Sequence, residues 1–110
     1  MARAANSIQN LPSGIDQLDA LLQHRARLGA MVLLSAGDEI NFSTLRALLK
    51  ESDGNLGAQL RKLEEADYIA VKKEFQDRKP ASWYSLTPTG RRALKTHLAA
   101  MESVVRSAEV

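Results

Sequence analysis

Between Asn55 and Glu65 the chain carries side chains suited to gripping and reading a nucleic acid. Asn55 and Gln59 are amides, able to donate and accept at a base edge. Arg61 and Lys62 are cations that meet guanine or phosphate, and Ala58 is small enough to let a backbone come close. This is recognition chemistry. The groups that catalysis would need are missing. The chain has no cysteine, and its two histidines, His24 and His97, lie far apart with no carboxylate or cysteine at ligand spacing. There is no glycine-rich phosphate loop. No enzyme, metal site or cofactor is expected.

The elements that must hold these residues can be read from local signals. Ser52 is a good N-cap, and Asp53 places negative charge at the positive end of a helix dipole. Leu56, Leu60 and Leu63 recur at i, i+4 and i+7, one apolar stripe of a helix over 52–66. At 100° per residue the opposite face carries Asn55, Ala58, Arg61, Lys62 and Glu65, with Gln59 on its flank. Upstream, Ser43 can cap a helix over Thr44–Lys50 with Leu45, Leu48 and Leu49 turned inward. Only Glu51–Ser52 separates the two helices, so they must cross steeply, as in a helix-turn-helix. Earlier still, a helical period runs from Ile15–Asp16 to Gly37, with a break near His24–Arg27. His24 reads as a capping or packing residue, and Ile40–Phe42 could add an edge to a small sheet.

Downstream, the period changes from 3.6 to 2. Asp67 tolerates the left-handed geometry that often follows a helix. Ile69, Val71 and Phe75 then alternate with Ala70, Lys72 and Glu74. Gln76–Ser82 is a polar loop whose Pro80 limits pairing, and Trp83–Leu86 resumes strand character. The result is a β-hairpin with Arg78 and Lys79 at its tip. Thr87 caps a last helix, with Pro88 at its first position. This helix continues to about Ser107, roughly 30 Å at 1.5 Å per residue. Its stripe of Leu94, Leu98, Met101 and Val105 is longer than so small a domain needs. The simplest partner is a second copy of the chain, with those four residues as the dimer interface.

Composition sets the outer bounds. With 110 residues, 45% apolar and 25% charged, the chain is one soluble globular domain. No apolar run approaches the roughly 18 residues needed to span a bilayer. Residues 1–14 read as a flexible N-terminal arm, tethered through Ile8 or Leu11, whose Arg3 could touch a DNA backbone or minor groove. The arm lacks the apolar core of a signal peptide, so a cytoplasmic protein is expected. The net charge is +2. Residues 51–79 hold six basic side chains against seven acidic ones, so any cationic surface must come from spatial segregation.

Helix, short helix, tight turn, helix, hairpin, helix is an α+β, mostly α, order of elements. The run NFSTLRALLKESDGNLGAQLRKLEEADYIAVKKEFQDRKPASWYSLTPTGRRAL resembles the winged helix-turn-helix DNA-binding transcriptional regulators of the MarR and ArsR types. DGNLGAQLRKLEEADYI and WYSLTPTGR carry the resemblance most specifically, and HRARLGAMVLL is similar to the family's first core helix. The likeness covers about residues 15–100, within a winged-helix domain expected over 15–107. It implies that 52–66 is the recognition helix, with Asn55, Gly57, Ala58, Gln59, Arg61 and Lys62 facing DNA. It also implies that Arg78 and Lys79 meet phosphate or the minor groove from the wing, and that Thr87 and Gly90 shape the turn into the last helix. Three positions depart from the family pattern. Lys50–Glu51 stands in the turn where a glycine and an apolar residue are usual, Asp67 replaces a glycine, and Gln59 stands where many relatives have histidine.

The expected function is a homodimeric, sequence-specific DNA-binding regulator, most simply a repressor. Helix 52–66 would sit in the major groove of double-stranded DNA and wing 76–82 on the backbone or minor groove. Any small-molecule effector would bind between the helices of the dimer, where Trp83 and Tyr84 could line a pocket. The alternative is a winged helix that binds protein instead of DNA, motivated by Glu64, Glu65, Asp67, Glu74 and Asp77 near the same face.

Overall fold

The computed structural model describes residues 11–110. Arg3 and Ile8 lie outside the described residues. Two single 3-10 turns, Ile15–Gln17 and Ala20–Leu22, lead into helix α1, Arg25–Leu34. The period read from Ile15 onward is therefore interrupted, and the cause is local. His24 adopts an extended backbone, and its Nδ1 accepts from the Ala26 N–H at 3.1 Å, capping a new helix. Strand β1, Ile40–Asn41, passes directly into α2, Phe42–Leu49, and α3 follows at Asp53–Glu65. The hairpin is β2, Ile69–Gln76, and β3, Lys79–Leu86, and α4 closes the chain at Pro88–Ser107.

The expected α+β, mostly α, winged helix-turn-helix is the fold observed. Its three-stranded antiparallel sheet has the order β1-β3-β2. Leu22, Met31, Leu34, Leu45, Leu56, Leu60, Leu63 and Ile69 are fully buried beneath it, with Tyr84 and Leu94 at the margins. The stripe read on helix 52–66 is thus the side of α3 that faces the core.

Local chemistry sets the element ends. The Ser52 hydroxyl accepts from Asn55 N–H at 3.1 Å, and the Thr87 hydroxyl from Gly90 N–H at 2.9 Å. Asp67 has φ 61°, the left-handed conformation expected for it. Thr87 Oγ1 also donates to the Asp67 carbonyl at 2.6 Å, and Thr87 N–H to the Tyr68 carbonyl at 3.1 Å. α4 is thereby pinned to the end of α3. Gly90 is required here, because a Cβ at this position would collide with the Tyr68 carbonyl.

Four expectations are corrected. The cap of α2 is Asn41, whose Oδ1 accepts from Thr44 N–H at 2.8 Å, and not Ser43. With the helix starting at Phe42, the inward stripe is Phe42, Leu45 and Leu49, and Leu48 is left 57% exposed. The wing has almost no loop. Gln76 pairs with Lys79, so only Asp77 and Arg78 turn the chain, at φ 50° and 67°. Positive φ at both central residues is the turn geometry whose twist matches a tight hairpin. Pro80 lies inside β3, opposite Phe75, while β1 covers only Trp83 and Tyr84 of that strand. Finally, the arm is not tied down by Leu11, which is 64% exposed. Gly14, with φ 95°, lies against the Ala100 carbonyl of α4. Nearby, the Nδ1 of buried His97 on α4 accepts from Asp19 N–H at 2.9 Å.

Candidate nucleic-acid interface

The surface of α3 opposite its leucine stripe is open. Asn55, Ala58, Arg61 and Lys62 are exposed, and Gly57 is half-buried with nothing within 4 Å of where its Cβ would stand. Gln59 differs from expectation. It is only 8% exposed, its Oε1 accepts from Arg27 Nη1 of α1, and its Nε2 donates to Asn55 Oδ1 at 3.3 Å. Packing against α1 holds this side chain inward, away from any groove that α3 could enter.

Ion pairs within the chain occupy three of the seven acids between residues 51 and 79. Glu51 is bound by Arg25 at 2.7 Å, Asp53 by Arg46 at 3.2 Å, and Glu74 by Lys72 at 3.2 Å. Lys72 also reaches Glu39 at 3.5 Å. Its ammonium is held above the ordinary lysine value, first by the hydrogen bond to Glu74 and then by the charge of Glu39. Among the described residues, Arg61, Lys62, Lys73, Arg78 and Lys79 have no ion-pair partner. Three acids that could oppose a polyanion are thus matched within the chain, while the cations of α3 and of the wing tip remain available. Burial raises the Tyr84 hydroxyl above its usual range and the Glu64 carboxylate adds to the rise, against a hydrogen bond with Ser82.

Arg78 occupies the turn between β2 and β3 and Lys79 the first position of β3, both exposed. A groove of about 550 Å³ separates this wing from the start of α2 and is lined by Asn41, Ser43, Lys79 and Ser82 among others. Of the aromatic pair suggested for an effector pocket, one member is committed to the core. Tyr84 belongs to the core and Trp83 is half-buried on the other face of β3. Arg46, on the exposed side of α2 beside Asp53, was missed from sequence. Its signal would have been a cation one helix upstream, which gains meaning only once the crossing of α2 and α3 is known.

On α4, Gly90, Leu94, His97 and Ala100 face their own chain. Leu94 is 4% exposed and is core rather than free interface. Leu98 at 41% and Val105 at 70% are exposed, with Met101 half-buried between them.

Residues 26–105 match the family model described as Winged helix DNA-binding domain. The chain belongs to this family. Comparison of the sequence with curated proteins finds no match. Among solved structures, this winged helix is similar to a transcriptional regulator homologue from Pyrococcus horikoshii OT3, at 23% identity, full coverage of both chains and a TM-score of 0.76. It is similar to a MarR family transcriptional regulator from Silicibacter pomeroyi, at 26% identity and a TM-score of 0.61, over 78% of this chain and 57% of that one. It also shares its fold with MepR of S. aureus, solved as a DNA complex, at 16% identity, a TM-score of 0.66, and 83% and 74% coverage. The first two of these are described as transcriptional regulators, and the third was solved with DNA. No helix among the described residues is long and apolar enough to cross a membrane.

Proposed function

We propose that this winged helix is a homodimeric, sequence-specific DNA-binding repressor working in the cytoplasm. α3 enters the major groove, with Asn55 and Arg61 toward base edges, Gly57 and Ala58 allowing close approach, and Lys62 on phosphate. Arg78 and Lys79 meet the backbone or the minor groove from the wing. The observation that carries this reading is the pairing of charges. Glu51, Asp53 and Glu74 are bound by cations of their own chain, while Arg61, Lys62, Arg78 and Lys79 have no such partner. The exposed end of the α4 stripe, Leu98, Met101 and Val105, supplies the dimer contact.

The test is duplex binding measured against salt concentration. Phosphate contacts release counterions, so affinity should fall steeply, with a log–log slope of about −0.9 per contact. Affinity flat in salt would sink the DNA reading. A second reading, a protein-binding winged helix, draws on the exposed Glu64, Glu65, Asp67 and Asp77. It is favoured if duplex DNA binds weakly at low salt and with no sequence preference.

A further inference from the structure

Along one edge of the polar face of α3 runs an unbroken chain of side-chain hydrogen bonds that begins and ends on α1. Arg25 Nη1 donates to Glu51 Oε1 at 2.7 Å. Asn55 Nδ2 donates to Glu51 Oε2 at 2.6 Å, and Gln59 Nε2 to Asn55 Oδ1 at 3.3 Å. Arg27 Nη1 donates to Gln59 Oε1, and Arg27 Nε reaches back to the Leu21 carbonyl at 2.5 Å. Arg25 likewise holds the Leu49 carbonyl at 2.9 Å. Two arginines two residues apart on α1 thus grip both ends of a relay that passes through the recognition helix.

The chemistry of the end groups fixes the sense of everything between them. A carboxylate can only accept, so Asn55 must turn its NH₂ toward Glu51. A guanidinium can only donate, so Gln59 must turn its carbonyl toward Arg27. The two amides then meet with Gln59 donating and Asn55 accepting. Neither amide can flip without setting donor against donor or acceptor against acceptor. Glu51 is well placed for this, because its side chain is 13% exposed and Arg25 balances its charge.

Asn55 is exposed and keeps one amide hydrogen and one carbonyl lone pair free. One donor beside one acceptor is what the major-groove edge of adenine takes, N7 accepting and N6–H₂ donating. We propose that the relay presents Asn55 in one fixed orientation as a reader of adenine. Glu51 and Arg27 are positioning residues for that specificity without touching DNA. This rests on the DNA reading above. It gives a role to Glu51, which departs from the family's usual turn, and to Gln59, which does not itself reach a base.

The experiment selects bound duplexes from a random pool with the full chain, then measures affinity for the selected site with each base replaced. One adenine position should cost the wild type about tenfold when replaced, and Asn55→Ala should erase that preference. Glu51→Gln, whose carbonyl Arg25 claims so that its NH₂ meets that of Asn55 donor to donor, should cut the preference to under about twofold. It should not lower affinity for a scrambled duplex, because it removes a negative charge and leaves the Arg25 charge unpaired. In the Asn55→Ala background Glu51→Gln should change discrimination no further, which a merely structural role would not produce. Arg27→Lys, which keeps a donor, should retain more of the preference than Arg27→Met. Tenfold discrimination surviving Glu51→Gln overturns the proposal and leaves the DNA reading standing, as does a site with no adenine sensitive to Asn55→Ala. A wild-type chain that selects no common site overturns the DNA reading, and this proposal with it.

Discussion

The Tyr68 hydroxyl donates to the Asp19 carboxylate at 2.5 Å, joining residues 49 positions apart in the chain. Asp19 also caps the turn at Ala20 through Leu21 N–H at 2.9 Å and gives its own N–H to His97. One aspartate therefore links the end of α3, the segment before α1 and the middle of α4. The bond to Asp19 is the main reason that the Tyr68 hydroxyl is pushed up to about 12, with burial and the carboxylate charge adding to it. The folded state holds this proton more tightly than the unfolded chain does. The contribution is complete below pH 10, the ordinary tyrosine value, and is lost as pH rises toward about 12. Tyr68→Phe should cost about 1 kcal/mol at neutral pH. The gap between wild type and variant should narrow steadily in urea melts taken from pH 10 upward.

Free and paired cations should separate in their salt dependence. Lys62→Ala and Arg78→Ala should each flatten the log affinity–log salt slope by about one contact. Lys72→Ala should change it far less, because Lys72 already lies between Glu39 and Glu74. Equal slopes for all three variants would contradict the pairing of charges described for the interface.

Gly57 offers a trade between stability and binding. Nothing stands within 4 Å of its missing Cβ, so Gly57→Ala adds a methyl to an open helix surface. It should stabilise the domain by about 0.5–1 kcal/mol, the ordinary helix cost of glycine relative to alanine. The same methyl should weaken duplex binding if the α3 backbone approaches DNA there. Gly54, equally open, is the control for stability in thermal melts.

Two positions on one stripe of α4 should behave differently. Val105→Asp places charge on a residue that is 70% exposed and should yield a folded monomer by sizing at micromolar concentration. Leu94→Asp places charge in the core, where the residue is 4% exposed, and should unfold the chain at any concentration. A wild type that is already monomeric would remove the dimer from the proposed function.

What was legible in the sequence was what neighbouring residues decide. Ser52, Thr87 with Pro88, and Asp67 act within a few positions, and each took its expected place. His24 was read as capping or packing for the same reason. Gln59 was misplaced because its surroundings are set by Arg27, 32 residues upstream, and no helical wheel contains that partner. Leu48 and Ser43 were misassigned because Asn41, leaving β1, starts α2 before the serine can. The wing looked like a loop because Pro80 and a run of polar residues read as turn chemistry. Pairing to β2 extends through all of them but Asp77 and Arg78.

Pro80 also bears on solubility. Gln76 and Lys79 close the hairpin, so the next pair, Phe75 and Pro80, is one whose backbone groups point outward. At Pro80 they point to the side of β3 that the two-residue β1 leaves uncovered. A strand arriving from another molecule would find no N–H there to bond. The wing can therefore extend from the body as a bare hairpin, with Phe75 79% exposed on it, without offering a full ladder for edge-to-edge aggregation.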